Sequence, residues 1–269
     1  MILTSATFMD ISWQTILGGL GLFLFGIKFM GDGLKSLAGD KLRDIIDRYT
    51  SKAWMGLLIG IFVTVIIQSS SATTAITIGF VRAGLMRLDQ TVGIIFGANI
   101  GTTITAFLVG MKIEKYSLYF VFIGTMLLLF SKRKKHAYVG EIVLGFGMLF
   151  YGLMIMGDAL KVLKDIPAFH DLAIQMSTHP WWAVTGGILM TGIIQSSSAM
   201  IGIIQKIYEA GGMPFEAALP FVFGSNIGTT VTAALAAMGG SLASRRAAGI
   251  HTLFNVLMTI VAMFLLRSE

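Results

Sequence analysis

The sequence has no cysteine. That excludes disulfides, thiolate metal ligands and cysteine nucleophiles, and it leaves the compartment open. Charge is scarce as well: 13% of the 269 residues are charged and 55% are hydrophobic, at a mean hydropathy of +0.80. So few charges cannot coat a water-facing surface of this size, and the chain reads as an all-α polytopic membrane protein whose surroundings are the lipid bilayer. Histidine is also sparse. His136, His170 and His179 fall in expected loops without metal-ligand spacing, and His251, within an expected span, has no neighbour that marks it as a base. A serine hydrolase therefore fails, and no enzyme is expected. Met1 to Ser12 lacks the basic start of a signal peptide, so the apolar stretch Trp13 to Leu37 reads as a retained span. The net charge of +6 lies in short loops between apolar spans, where it reports orientation and not nucleic-acid binding.

What the sequence does contain is a run of small hydroxyl side chains inside an apolar segment, Gln68-Ser69-Ser70-Ser71-Ala72-Thr73-Thr74. It recurs 127 positions later as Gln195-Ser196-Ser197-Ser198-Ala199. In both copies a second element follows 31 residues after the Gln: Asn99-Ile100-Gly101-Thr102-Thr103 and Asn226-Ile227-Gly228-Thr229-Thr230. The flanks repeat too, with Phe25 to Asp32 matching Tyr151 to Asp158, Trp54 matching Trp181 and Ala83-Gly84 matching Ala210-Gly211. Internal duplication in a membrane protein points to a transporter with its sites at the repeat interface near the midplane.

In chain order, Trp13 to Leu37 is a Gly-rich span with one deep charge, Lys28, read as snorkelling or locally paired because its repeat counterpart is Met154. Asp32 and Asp158, each near the end of its span, read as structural caps. Gly39 to Lys52 mixes Leu42, Ile45 and Ile46 with charges in the pattern of an interfacial amphipathic helix. Ala53 to Val81 carries the first Ser run between apolar arms of about 15 and about 10 residues, neither long enough for a hydrocarbon core of about 30 Å. The arms form either one long tilted helix or a re-entrant hairpin with the Ser run at its tip. Thr91 to Met111 is expected as a span interrupted near Asn99 to Thr103. Tyr116 to Phe130 is expected as another, ending at the basic run Lys132 to Lys135.

Lys and Arg positions decide between the two forms. With hairpins, thirteen of these cations, the Lys132 to Lys135 run among them, share one side against six on the other; with continuous spans the split is eight against eleven. Only the hairpin form obeys the positive-inside rule. It divides the chain into inverted repeats, 1–136 and 137–269, each with three spans and a re-entrant hairpin, about 53–83 and about 181–209. The Lys132 to Lys135 linker is then cytoplasmic, both termini lie outside, and the location is a cell inner membrane or plasma membrane.

Hairpin tips at membrane depth survive only where they are buried in protein or line a wet cavity, so the two tips should meet. Each Ser run opens a helix, bringing free N–H groups, the positive helix end and hydroxyl donors together as an anion site. Gln, Asn and Thr oxygens, with carbonyls freed where a helix breaks at Asn-Ile-Gly, supply neutral ligands that suit an alkali cation.

At these residues the sequence resembles the type II sodium-dependent phosphate cotransporters and their bacterial relatives, through the duplicated Gln-Ser-Ser-Ser and the Asn-Ile-Gly-Thr-Thr elements. The likeness runs from about Gly18 to about Asn255. It implies sodium-coupled phosphate uptake by alternating access, with no cofactor beyond the co-transported sodium ions. It also implies that Ser69, Ser70, Ser71, Ser196, Ser197 and Ser198 take phosphate, and that Gln68, Gln195, Asn99, Thr102, Thr103, Asn226, Thr229 and Thr230 serve sodium. After the Ser run Thr73-Thr74 faces Met200-Ile201, so the halves need not contribute equally. Bacterial members often continue into a cytoplasmic helical domain of the phosphate-regulatory type beyond the position matching Glu269. Other readings stay open: a sodium-coupled carrier of a carboxylate or sulfate, or a passive anion channel. The oligomeric state is open as well, a homodimer included.

Overall fold

The computed structural model describes residues 11–39 and 53–267, which form helices and short turns with no strand among the described residues. The surface helix expected at Gly39 to Lys52 lies outside the described residues from position 40 onward. Helix α1 (Trp13–Ala38) is followed by α2 (Ala53–Ile67), α3 (Ser70–Arg82), α4 (Leu88–Val109) and, after a 3-10 turn at Glu114–Tyr116, α5 (Ser117–Phe130). Then come α6 (Lys134–Leu160), α7 (Pro167–Thr178), α8 (Pro180–Ile194), α9 (Ser197–Glu209), α10 (Phe215–Gly228), α11 (Thr230–Ala237) and α12 (Leu242–Arg267). Among the described residues, five stretches are long and apolar enough to cross a membrane: Trp13–Ala38, Leu88–Val109, Lys134–Asp165, Phe215–Ala237 and Leu242–Leu266. The chain is thus an all-helical, multi-pass membrane protein. Of Tyr116 to Phe130, expected as a further span, Ser117–Phe130 forms an α-helix of 14 residues, about 21 Å long, and Tyr116 belongs to the 3-10 turn that precedes it.

Glycines set how the helices pair. Along α1 and α6, a Cβ on Gly19 would sit 2.8 Å from Gly152 O, and one on Gly26 would sit 2.7 Å from Gly145 O. The order reverses along the two helices, so they run antiparallel, and the missing side chains let the backbones approach closely. Phe23, Leu149, Phe150, Leu153 and Met156 are fully buried in this seam and its surroundings. In contrast, α2 and α4 run parallel: Gly56 faces Gln90, and Gly101 faces Thr64. The pair α8 and α10 repeats that arrangement, with Gly187 against Phe221 and Gly228 against Ile188.

Two helices joined through a third can run parallel only if the third returns, and α3 does. Thr64 Oγ1 donates to Thr73 Oγ1 at 3.0 Å, whereas nine residues of unbroken helix would separate them by about 13.5 Å. The chain folds back at Gln68-Ser69. Large apolar side chains such as Phe107, Phe130, Ile193 and Phe264 point outward, as a lipid-facing surface requires.

One expectation is corrected. The interruption at Asn99 to Thr103 is absent, and α4 runs unbroken through it. Gly101 is a contact point there: a Cβ would sit 2.8 Å from Thr64 Cβ and 2.9 Å from Ile61 O. Thr102 Oγ1 donates to Ala98 O at 3.0 Å and stays within its own helix. In the second half only Thr229 separates α10 from α11, at near-helical angles (φ −62°, ψ −24°). The freed carbonyls invoked for a cation are therefore not supplied by a helix break at Asn-Ile-Gly.

Candidate functional site

Each Ser run begins at a break of the same build. Gln68 and Gln195 adopt left-handed backbone, with φ of 57° and 60°, a conformation uncommon outside glycine. Their side chains hold it in place. Gln68 Nε2 donates to Val65 O at 2.5 Å and Oε1 accepts from Thr105 Oγ1 at 3.0 Å. Gln195 Nε2 donates to Gly192 O, and Oε1 accepts from Thr232 Oγ1 at 2.6 Å. Each amide therefore ties the end of one arm to a later helix.

The next residue caps the returning helix. Ser69 and Ser196 are extended, and their Oγ atoms accept from Ala72 N at 3.1 Å and Ala199 N at 3.2 Å, the standard N-cap bond. Ser70, Ser71, Ser197 and Ser198 open α3 and α9. Among the described residues their hydroxyls have no hydrogen-bond partner, and their own N–H groups, the first two of each helix, are free in the usual way.

Both runs line one cavity of about 280 Å³, together with Gln68, Gln195 and the α1 side chains Lys28, Asp32 and Lys35. Two helix N-termini and four uncommitted hydroxyls thus converge on one space, the chemistry of an oxyanion site. Helix α1 packs onto the first tip at Gly31, where a Cβ would sit 2.7 Å from Ile67 O. Lys28, Asp32 and Lys35 follow one another at i, i+4 and i+7 on one helix face. Lys28 Nζ lies 3.3 Å from Asp32 Oδ2. The capping expected of the two aspartates does not occur: Asp32 pairs with Lys28, Asp158 pairs with Lys161 at 2.7 Å, and the last turn of α1 is closed by Gly39.

The Asn elements go elsewhere. Asn99, Asn226, Thr102 and Thr103 line a second cavity of about 410 Å³ with Gln205 and Ile204. Asn99 Nδ2 and Gln205 Oε1 are buried there without a hydrogen-bond partner. Thr229 and Thr230 line neither cavity and donate to Ser225 O at 2.9 Å and Ile227 O at 2.8 Å within the helix. Of the expected set of fourteen residues, eight line the Ser cavity, four line the Asn cavity and two line neither.

A third cavity, of about 1020 Å³, lies at the opposite end of the α1 and α6 pair, lined by Asp158, Lys161, His170, Glu114, Glu209 and Lys206 among others. Lys206 is 5% exposed and pairs with Glu114 and, at 2.7 Å, with Glu209. Helix α9 therefore contributes to all three cavities, through Ser197, Gln205 and Lys206 in turn.

Sequence reasoning missed Thr105 and Thr232, which anchor the two glutamines, although each is 37 residues beyond its Gln and the pair shares the 127-residue period. It also missed Gln205, Asp32 and Lys35. The repeat does not mark Gln205, and Asp32, which it matches to Asp158, reads as a cap; only the packing of α1 and α9 brings these residues to the cavities.

Residues 22–158 and 162–269 match the family described as Na+/Pi-cotransporter. The uncharacterized protein YqeW of Bacillus subtilis is 33% identical over 235 residues, 87% of this chain and 76% of its own. The putative inorganic phosphate export protein YjbB of Escherichia coli is 26% identical over 248 residues, 92% of this chain and 46% of its own. The sodium-dependent phosphate transport protein 2A of Rattus norvegicus is 35% identical over 100 residues, 36% of this chain and 15% of its own. The chain spans less than half the length of YjbB and of the rat protein. No solved structure matches it. With the family match running across both halves, the chain belongs to the Na+/Pi-cotransporter family.

Proposed function

We propose that this protein carries inorganic phosphate across the membrane together with sodium, by alternating access between two inverted repeats, 1–136 and 137–269. In this reading α2 with α3, and α8 with α9, are the re-entrant hairpins. Phosphate sits between the Ser runs, capped helix end to capped helix end. The observation that carries the proposal is the convergence of Ser69 to Ser71 and Ser196 to Ser198 on one cavity. Both tips present donors and helix N-termini, and Lys28 and Lys35 of α1 line the same cavity, which suits a multiply charged oxyanion.

Asn99, Asn226, Thr102, Thr103 and Gln205 are assigned to sodium, with Gln68 and Gln195 shaping the tips and keeping one Oε1 lone pair free for a cation. Thr229 and Thr230 support the helix that presents Asn226. Helix α9 couples the sites, since one rigid element reaches both the Ser cavity and the Asn cavity. The cavity at the Lys35 end of α1 is the cytoplasmic opening. The Lys206, Glu114 and Glu209 cluster closes the outer route. Both termini then lie outside.

A sodium gradient directed inward makes such a carrier an importer. Export is the second reading, favoured by the likeness over 92% of this chain to a protein named for putative phosphate export. Labelled phosphate flux in proteoliposomes, with sodium imposed from either side, distinguishes them. Uphill uptake that follows the sodium gradient supports the symporter. Flux that equilibrates and ignores sodium would show a channel, and phosphate moving against the sodium gradient would show an exporter. For topology, a Cys placed near Lys132 should react with an impermeant thiol reagent only from the cytoplasm, and one near His170 only from outside.

A further inference from the structure

We infer that Asp32, held by Lys28, is the residue that makes the anion site choose phosphate over sulfate. The inference rests on the phosphate reading above and adds a specificity element to it. Apart from α1, the groups that face the Ser cavity and are not already bonded are neutral: hydroxyls, which can donate or accept, and the free N–H groups that open α3 and α9. Donors take any tetrahedral oxyanion. The amide oxygens of Gln68 and Gln195 each accept one bond already, from Thr105 and Thr232, and the one carboxylate among the residues lining the cavity is Asp32.

Phosphate and sulfate differ there. Near neutral pH both phosphate species, monoanion and dianion, keep at least one P–OH, which donates a hydrogen bond to a carboxylate. Sulfate has no proton to donate. Placed against Asp32, it meets a like charge with no bond in return, an unfavourable arrangement that builds discrimination against the wrong ligand.

Lys28 makes the carboxylate tolerable. Its ammonium, 3.3 Å from Asp32 Oδ2, orients that oxygen and leaves Oδ1 available. The charges also balance. Each helix N-terminus counts as roughly +0.5, and Lys28, Lys35 and Asp32 together add one formal positive charge, about +2 in all against a divalent anion. The second repeat does not copy the device: the position matching Lys28 is Met154, and Asp158 pairs with Lys161 in the opposite cavity. Selectivity therefore resides in the first repeat, while donors come from both.

The test uses the full chain, in proteoliposomes for uptake and in detergent for direct phosphate and sulfate binding and thermal stability. In the wild type, arsenate, which carries protons as phosphate does, should compete with phosphate, and sulfate should compete poorly. Asp32→Asn should raise the affinity for sulfate relative to phosphate by about 10-fold or more, leave arsenate competition intact and leave the melting temperature unchanged, since an exposed ion pair stabilises little. Lys28→Met should weaken phosphate and sulfate alike. An Asp32→Asn protein that excludes sulfate as well as the wild type, in binding as in uptake, overturns the assignment. So does one whose altered ratio appears only with a lowered melting temperature. If the wild type neither binds nor moves phosphate, the phosphate reading itself fails. If it does both and loses affinity on Ser70→Ala while Asp32→Asn keeps sulfate out, only the role of Asp32 fails.

Discussion

Thr105 Oγ1 donates to Gln68 Oε1 at 3.0 Å across 37 residues of sequence, and Thr232 repeats the bond to Gln195 at 2.6 Å. Each bond joins the left-handed residue before a Ser run to a later helix, α4 in the first half and α11 in the second. The position of each Ser run is thereby fixed relative to α4 or α11, not only to its own arms.

Thr105→Val keeps the shape of the side chain and deletes the donor, leaving the Gln68 oxygen, in a residue 6% exposed, without its bond. We expect a loss of about 1–3 kcal/mol in stability, read as a lower melting temperature, with weakened phosphate affinity because the tip loosens. Thr105→Ser should restore both. Equal effects of Val and Ser would mean that packing, not the hydroxyl, holds the tip.

Asn99→Leu and Asn226→Leu keep approximate size and remove the oxygen from the second cavity. Sodium activation should weaken, with the sodium concentration for half-maximal transport rising several-fold, before expression falls. Because these residues line a different cavity from the Ser runs, phosphate affinity at saturating sodium should change little. Unchanged sodium dependence in both variants would return the Asn residues to a purely structural role.

The Gln-Ser break was legible because its chemistry is local. A Ser N-cap three residues before the N–H it satisfies, and a Gln before it, are readable from the sequence, and duplication made the signal hard to dismiss. The unbroken α4 was not legible. Gly101 in a helix interior costs roughly 1 kcal/mol in isolation, which reads as a break, and the offsetting contact with Thr64 and Ile61 comes from a helix that is distant in sequence. Asp32 and Lys35 were missed for a related reason: a charge near the end of a span looks like a cap or an anchor until the neighbour that faces it is known.

Lys206 stands 5% exposed between Glu114 and Glu209. Lys206→Met would leave two carboxylates facing each other without a cation. Removing one partner of a buried pair costs about 3–5 kcal/mol, and the 38% exposure of the Glu209 side chain lowers the expectation to about 2 kcal/mol. Glu114→Gln, which keeps one carboxylate for Lys206, should cost less. Adding Glu114→Gln to Lys206→Met should recover part of the loss. Thermal unfolding in detergent ranks the three variants, and a Met variant as stable as the wild type would show that the cluster contributes nothing to folding.

The claim on which the account depends is that the Ser runs bind the anion and do not merely let helices pack. Phosphate affinity of Ser70→Ala and Ser197→Ala, measured at saturating sodium on well-expressed protein, tests it most directly. Ala is as small as Ser and a good helix former, so packing would scarcely notice either change. Loss of a hydrogen bond to a charged acceptor, worth about 1.5–3 kcal/mol, predicts affinity lower by about 10- to 150-fold in each single variant. Wild-type affinity in both, and in Ala variants of Ser71 and Ser198, would contradict the site.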